Sequence, residues 1–183
     1  MGISTGQMSF INDVEIDIKA TVRASSNFLD KGLNKGFERY LRRAGWNRNK
    51  LAVIDESHIS SPKMDASGVS AHSGINNMEN NFVSIIDAKQ VCLAVYKAIT
   101  SCQNSSKKPY RKILELSYLD YHDYTLDVIG SVVGYSERQT ANLKRQALCE
   151  FADLFETYKI EYGLTDPGRK DLKLLILKKQ NCI

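Results

Sequence analysis

The sequence predicts an all-α protein, on three observations. Apolar residues recur at spacings of three and four through residues 17 to 45 and again from 81 onward, the period of a helix with one buried face. Asp87, Thr125 and Ser136 stand where such runs begin and are residue types that cap helices. A polar stretch, residues 57 to 80, divides the two runs and carries Ser, Gly and Asn with hardly any aliphatic periodicity. The expected layout is a helical amino-terminal region (1–56), a flexible linker (57–80), a four-helix module (81–160) and a basic-apolar tail (161–183).

In the first region, Ile18, Val22 and Leu29 mark one helix face. Phe37, Tyr40, Leu41 and Ala44 mark a second, with Gly45 as its stop. Arg39, Arg42 and Arg43 lie off that apolar face and read as solvated surface. His58 and His72 fall in the polar linker, where a lone histidine is ordinarily solvated, and neither is given a chemical role. Asp87 with Gln90 resembles a capping box, followed by Val91, Ala94, Val95 and Ala98 on one face of a helix that ends near Cys102. Pro109 starts the next helix, lined by Tyr110, Ile113, Leu114 and Tyr118 and ended by the polar cluster Asp120 to Asp123.

Composition bounds what this chain does. With 183 residues, 43% hydrophobic and 25% charged, it has material for one substantial domain or two small ones. No apolar run approaches the roughly 18 residues that cross a bilayer, and MGISTGQMSF lacks the order of a secretory signal. A cytoplasmic protein without a membrane partner is expected. Cys92, Cys102, Cys149 and Cys182 form no CxxC pair and read as reduced thiols. The net charge of +4 is clustered: seven basic residues against Glu38 between Lys31 and Lys50, and five against Asp171 between Arg169 and Lys179. Residues 110 to 150 hold five basic and six acidic side chains, so that stretch is not basic.

No Gly-rich phosphate loop, strand-borne nucleophile or nameable carboxylate pair is present, so no enzyme and no cofactor are expected. Asp120, His122, Asp123 and Asp127 look like metal ligands at first sight. They read instead as loop and cap residues, since loops between helices favour such side chains, and no metal site is assigned.

The informative segment begins at Thr125. This residue caps a short helix in which Leu126, Ile129 and Val132 or Val133 point inward, and Gly130 lets the next helix approach closely. Gly134 suits the left-handed end of that helix, and Ser136 with Gln139 forms a capping box for a long amphipathic helix. Helix, glycine-containing turn, helix is the spacing of a helix-turn-helix. Thr140, Leu143, Ala147, Phe151 and Leu154 share its core face. The opposite face presents Arg138, Ala141, Asn142 and Arg145, with Glu137, Gln139 and Lys144 nearer its edges. Arginine forks onto guanine, asparagine pairs with adenine and alanine touches a thymine methyl, so the set suits major-groove reading.

Residues 87 to 155, with DAKQVCLAVYKAI followed by PYRKILELSYLDYHDYTLDVIGSVVGYSERQTANLKRQAL, resemble region 4 of bacterial sigma factors. Most of the chain is similar to the ArpU-like regulators of phages and prophages in Gram-positive bacteria, through IDIKATVRASSNFLDKGLNKGFERYLRRAG and, most specifically, GYSER followed by LKRQALCEFA. That resemblance implies a sigma region 4-like helix-turn-helix and a transcriptional regulator of late, packaging or lysis genes. Its partners would be promoter or operator duplex DNA and host RNA polymerase, bound as monomer or dimer. By the same analogy Arg138, Gln139, Asn142 and Arg145 contact bases or phosphates. No second region for melting promoter DNA is recognisable, which argues against a stand-alone sigma factor. Two rivals remain: a small-terminase-like packaging protein, and an adaptor that docks on RNA polymerase without reading DNA.

Overall fold

In a computed structural model the described residues are 16–32, 36–51, 75–166 and 168–178. They are all-α, apart from an isolated antiparallel bridge between Ile16 and Leu177. The helices are α1 (Ile18–Leu29), α2 (Gly36–Arg43), α3 (Arg48–Leu51), α4 (Ile75–Ser101), α5 (Tyr110–Leu114), α6 (Leu126–Val133) and α7 (Glu137–Glu161). A π-helical turn, Glu115–Leu119, extends α5, and a 3-10 turn, Lys170–Leu172, follows α7.

Helix α7 is the hub. It packs against α1, α4, α5 and α6, while α2 lies on α4. Its core face carries Thr140, Ala147, Leu148, Phe151, Ala152 and Phe155, all buried. Leu143 and Leu154, expected on that face, lie at its margin and are half-buried. Helix α4, which packs on both α7 and α2, buries Ala88, Val91, Ala94, Val95 and Ala98, small side chains that let neighbouring helices approach closely. Phe28 of α1 joins the aromatic centre, its ring 5.8 Å from that of Phe155, which in turn stacks on Phe151 at 5.6 Å. The amino-terminal helices therefore share one hydrophobic core with α4 and α7.

Two local expectations change. Helix α4 begins at Ile75, inside the stretch read as linker, and Asp87 lies within it as an ion-pair partner of Arg169 and not as a cap. No proline or glycine separates Ile75 from Asp87, so nothing local forces the helix to start late. Residues 57–74, with His58 and His72, lie outside the described residues. On α1, Ile18 is 65% exposed, and the buried face runs through Thr21, Ser25, Phe28 and Leu29.

The tail turns back onto the amino-terminal helices. Leu164, Leu172, Leu174 and Leu175 are buried in the core. The Asp17 N–H donates to the Ile176 carbonyl at 2.8 Å, and the Ile176 N–H donates to Thr21 Oγ1 at 3.0 Å. Asp171 accepts from Arg39 at 2.8 Å and from the Tyr40 hydroxyl at 2.6 Å. Part of the basic cluster is thus structural: Arg39 ties α2 to the tail, and Arg48, with 7% of its side chain exposed, pairs with Glu38 at 3.0 Å. Arg43 lies on the exposed surface, as expected.

Candidate nucleic-acid interface

The Thr125 side chain accepts from the Val128 N–H, which starts α6 as expected. Ile129 is buried and Leu126 and Val133 are half-buried, whereas Val128 and Val132 face outward, 43% and 57% exposed. Helix α6 ends at Gly134, whose φ of 80° lies in the left-handed region that residues with a Cβ rarely adopt. Two residues later Ser136 caps α7: its Oγ accepts from the Gln139 N–H at 3.4 Å, while Gln139 Oε1 accepts from the Ser136 N–H at 3.2 Å. Both halves of the capping box read from the sequence are present.

The corner between the helices is closed by Gly130. A Cβ there would lie 2.6 Å from the Tyr135 carbonyl oxygen and 2.9 Å from Thr140 Oγ1. The Tyr135 N–H donates to the Gly130 carbonyl at 2.9 Å, and Thr140 Oγ1 donates to the Ser136 carbonyl at 3.0 Å. Helix α6 is thereby held against the first turn of α7.

Beyond the corner, Glu137, Arg138, Gln139, Asn142 and Arg145 are exposed. Arg145 Nη1 donates to Asn142 Oδ1 at 3.2 Å, which lines the two up along one surface row. Arg138 has no ion-pair partner among the described residues. Gln139 has its side-chain oxygen committed to the cap, leaving its amide N–H groups free to donate. Ala141 and Lys144 are half-buried. The Lys144 ammonium sits 4.6 Å from the centroid of the Tyr118 ring, and burial, with the nearby charge of Lys31, lowers its pKa from the ordinary lysine value. It is drawn toward α5 and away from the exposed row.

The acidic loop before α6 is a structural joint. Lys31 pairs with Asp123 at 2.8 Å and donates to the His122 carbonyl at 2.7 Å, pinning the loop to the end of α1. The bond from the Lys31 ammonium to the Asp123 carboxylate, together with the Lys31 charge, holds that carboxyl below its ordinary range. Asp120 accepts from the His122 N–H at 2.9 Å, which lowers its pKa too. No group of three or more potential metal-ligating side chains is found among the described residues.

One neighbour of the corner was not singled out in the sequence. The Tyr135 hydroxyl donates to the Ser106 carbonyl at 2.7 Å, bringing the loop between α4 and α5 beside the start of α7. The SSKKP segment signals only a helix break, and the 29-residue separation of the pair leaves no local pattern to find. No helix of the described residues is long and apolar enough to cross a membrane. Compared with protein-family models, with curated proteins and with solved structures, the chain matches none.

Proposed function

We infer that the protein is a sequence-specific DNA-binding regulator of transcription, with α6, the Gly134 corner and the start of α7 acting as a sigma region 4-like helix-turn-helix. The observation that carries this is the exposed row Arg138, Asn142 and Arg145 directly after a closed corner, on a helix whose other face is the protein's core. A rigidly backed helix presents its side chains to a groove at little entropic cost. Arg138, in the first turn, donates as a fork to guanine O6 and N7, and Asn142, one turn on, pairs with adenine. Arg145, further from the helix start, contacts the phosphate backbone.

Residues 110 to 150 carry more acidic than basic side chains, so this stretch by itself supplies little generalised attraction to phosphate. The resemblance to phage and prophage regulators makes late packaging or lysis genes the expected target, through promoter DNA and host RNA polymerase. Exposed Val128 and Val132 on α6 favour a second reading, an adaptor docking on RNA polymerase by an apolar contact. Selection of duplexes from a random pool by the full-length protein separates the two. Enrichment of one recurrent sequence, protected in a footprint near the protein's own gene cluster, is expected. A pool that stays random, together with retention of the protein on RNA polymerase, would overturn DNA reading in favour of the adaptor.

A further inference from the structure

We propose that the turn Ser105–Lys108 is a second DNA contact, a phosphate clamp held beside the α6–α7 corner. The proposal rests on the reading of α7 as the groove-reading helix.

The turn is built to stay in place. The Ser105 N–H donates to the Lys108 carbonyl at 3.2 Å and the Lys108 N–H donates back to the Ser105 carbonyl at 3.1 Å, with Ser105 Oγ as a further acceptor at 3.1 Å. Its base is fixed by the Gln103 N–H, which donates to the Glu150 carboxylate of α7 at 2.6 Å, and by the Arg111 N–H, which donates to the Gln103 carbonyl at 3.0 Å. Its tip is fixed by Tyr135, which bonds Ser106 and stands three residues before Arg138. The loop therefore belongs to the same rigid corner as the start of α7, although it lies between two other helices in the sequence.

The charge on this turn is uncommitted. Lys107 and Lys108 are exposed, and neither is in an ion pair with a described residue. Glu150, which feels the Lys108 charge, is half-buried and already holds Gln103. Two free ammonium groups on a fixed turn beside a groove-reading helix fit the phosphates that border the groove, a partner of uniform negative charge and no base identity. Because the turn's backbone is already ordered, only the lysine side chains lose freedom when they meet phosphate.

The test uses the full chain, a duplex enriched from a random pool and a scrambled duplex of equal length, titrated at several salt concentrations. The Lys107→Ala/Lys108→Ala double variant should melt like the parent. It should bind both duplexes more weakly by a similar factor and lower the salt slope by about 1.8, so that its affinity loss between 50 and 200 mM salt is about 12-fold smaller than the parent's. Arg138→Ala is the companion and should reduce only the preference for the enriched duplex. An unchanged slope and affinity in the double variant, with preference still lost in Arg138→Ala, overturns the clamp and leaves the groove reading standing. A pool from which the parent enriches no sequence overturns both.

Discussion

Gly130→Ala separates the geometry of the corner from the stability of the core. The added Cβ would sit 2.6 Å from the Tyr135 carbonyl oxygen and 2.9 Å from Thr140 Oγ1, both well inside van der Waals contact. The carbonyl is backbone and part of the turn, so it cannot swing away as a flexible side chain would, and Thr140 is fully buried. Helix α6 must therefore back off from α7 by several tenths of an ångström. Overpacking of this kind costs about 1–3 kcal/mol, and the better helix propensity of alanine offsets about 1 kcal/mol. The net destabilisation is about 0–2 kcal/mol, and at roughly 2–4 °C per kcal/mol for a chain of this size the midpoint falls by at most about 8 °C. The aromatic centre, Phe28, Phe151 and Phe155, lies among α1, α4 and α7, so far-UV circular dichroism should be unchanged. Binding should suffer more than folding, because displacing the corner re-aims Arg138; the loss of one base contact, about 1–3 kcal/mol, is expected on an enriched duplex. Thermal melts and titrations on the same preparation read both quantities. A Gly130→Ala protein that binds with the parent's affinity would refute the role given to the closed corner.

Phe151→Ala removes a fully buried ring stacked on Phe155 and should cost about 3–5 kcal/mol in denaturant unfolding; a loss below about 1 kcal/mol would show that α7 is not the hub of the core. Alkaline pH provides a test of the contact between α2 and the tail. The Tyr40 phenol is pushed up to about 12, first by burial and then by its hydrogen bond to Asp171 and that carboxylate's charge. Its folded value lies above the unfolded value of about 10, so its contribution to stability is complete below about pH 10 and is lost as pH rises toward about 12. Tyr40→Phe should therefore lose stability less steeply than the parent between these limits; parallel alkaline slopes would contradict the contact.

What the sequence disclosed was local. Gly134, Ser136 with Gln139, and Thr125 were legible because caps and left-handed ends are decided within a few residues by backbone donors that need partners. The inward set Val91, Ala94, Val95 and Ala98 was legible because a helix with one buried face repeats its apolar residues. What escaped depends on distant partners. Asp87 has the form of a cap, yet the α4 helix runs through it and Arg169, 82 residues away, takes its carboxylate. The tail had no assignable role because its strap, Ile176 against Asp17 and Thr21, spans the chain. In the candidate site, the exposure of Arg138, Asn142 and Arg145 followed from helical period, while the fate of Lys144 turned on Tyr118 beneath it. The placement of Ser106 against Tyr135 carries no trace in the local pattern.

The most direct test of DNA reading by α7 is the base preference of Arg138→Ala beside Arg145→Ala. Both side chains are exposed, so both variants should fold and melt like the parent. On single-base variants of an enriched duplex, Arg138→Ala should lose about 1–3 kcal/mol and its discrimination at one base pair. Arg145→Ala should weaken all duplexes alike and reduce the salt slope by about 1. If both variants keep the parent's affinity and its preference at every position, α7 does not read DNA and the central claim is wrong.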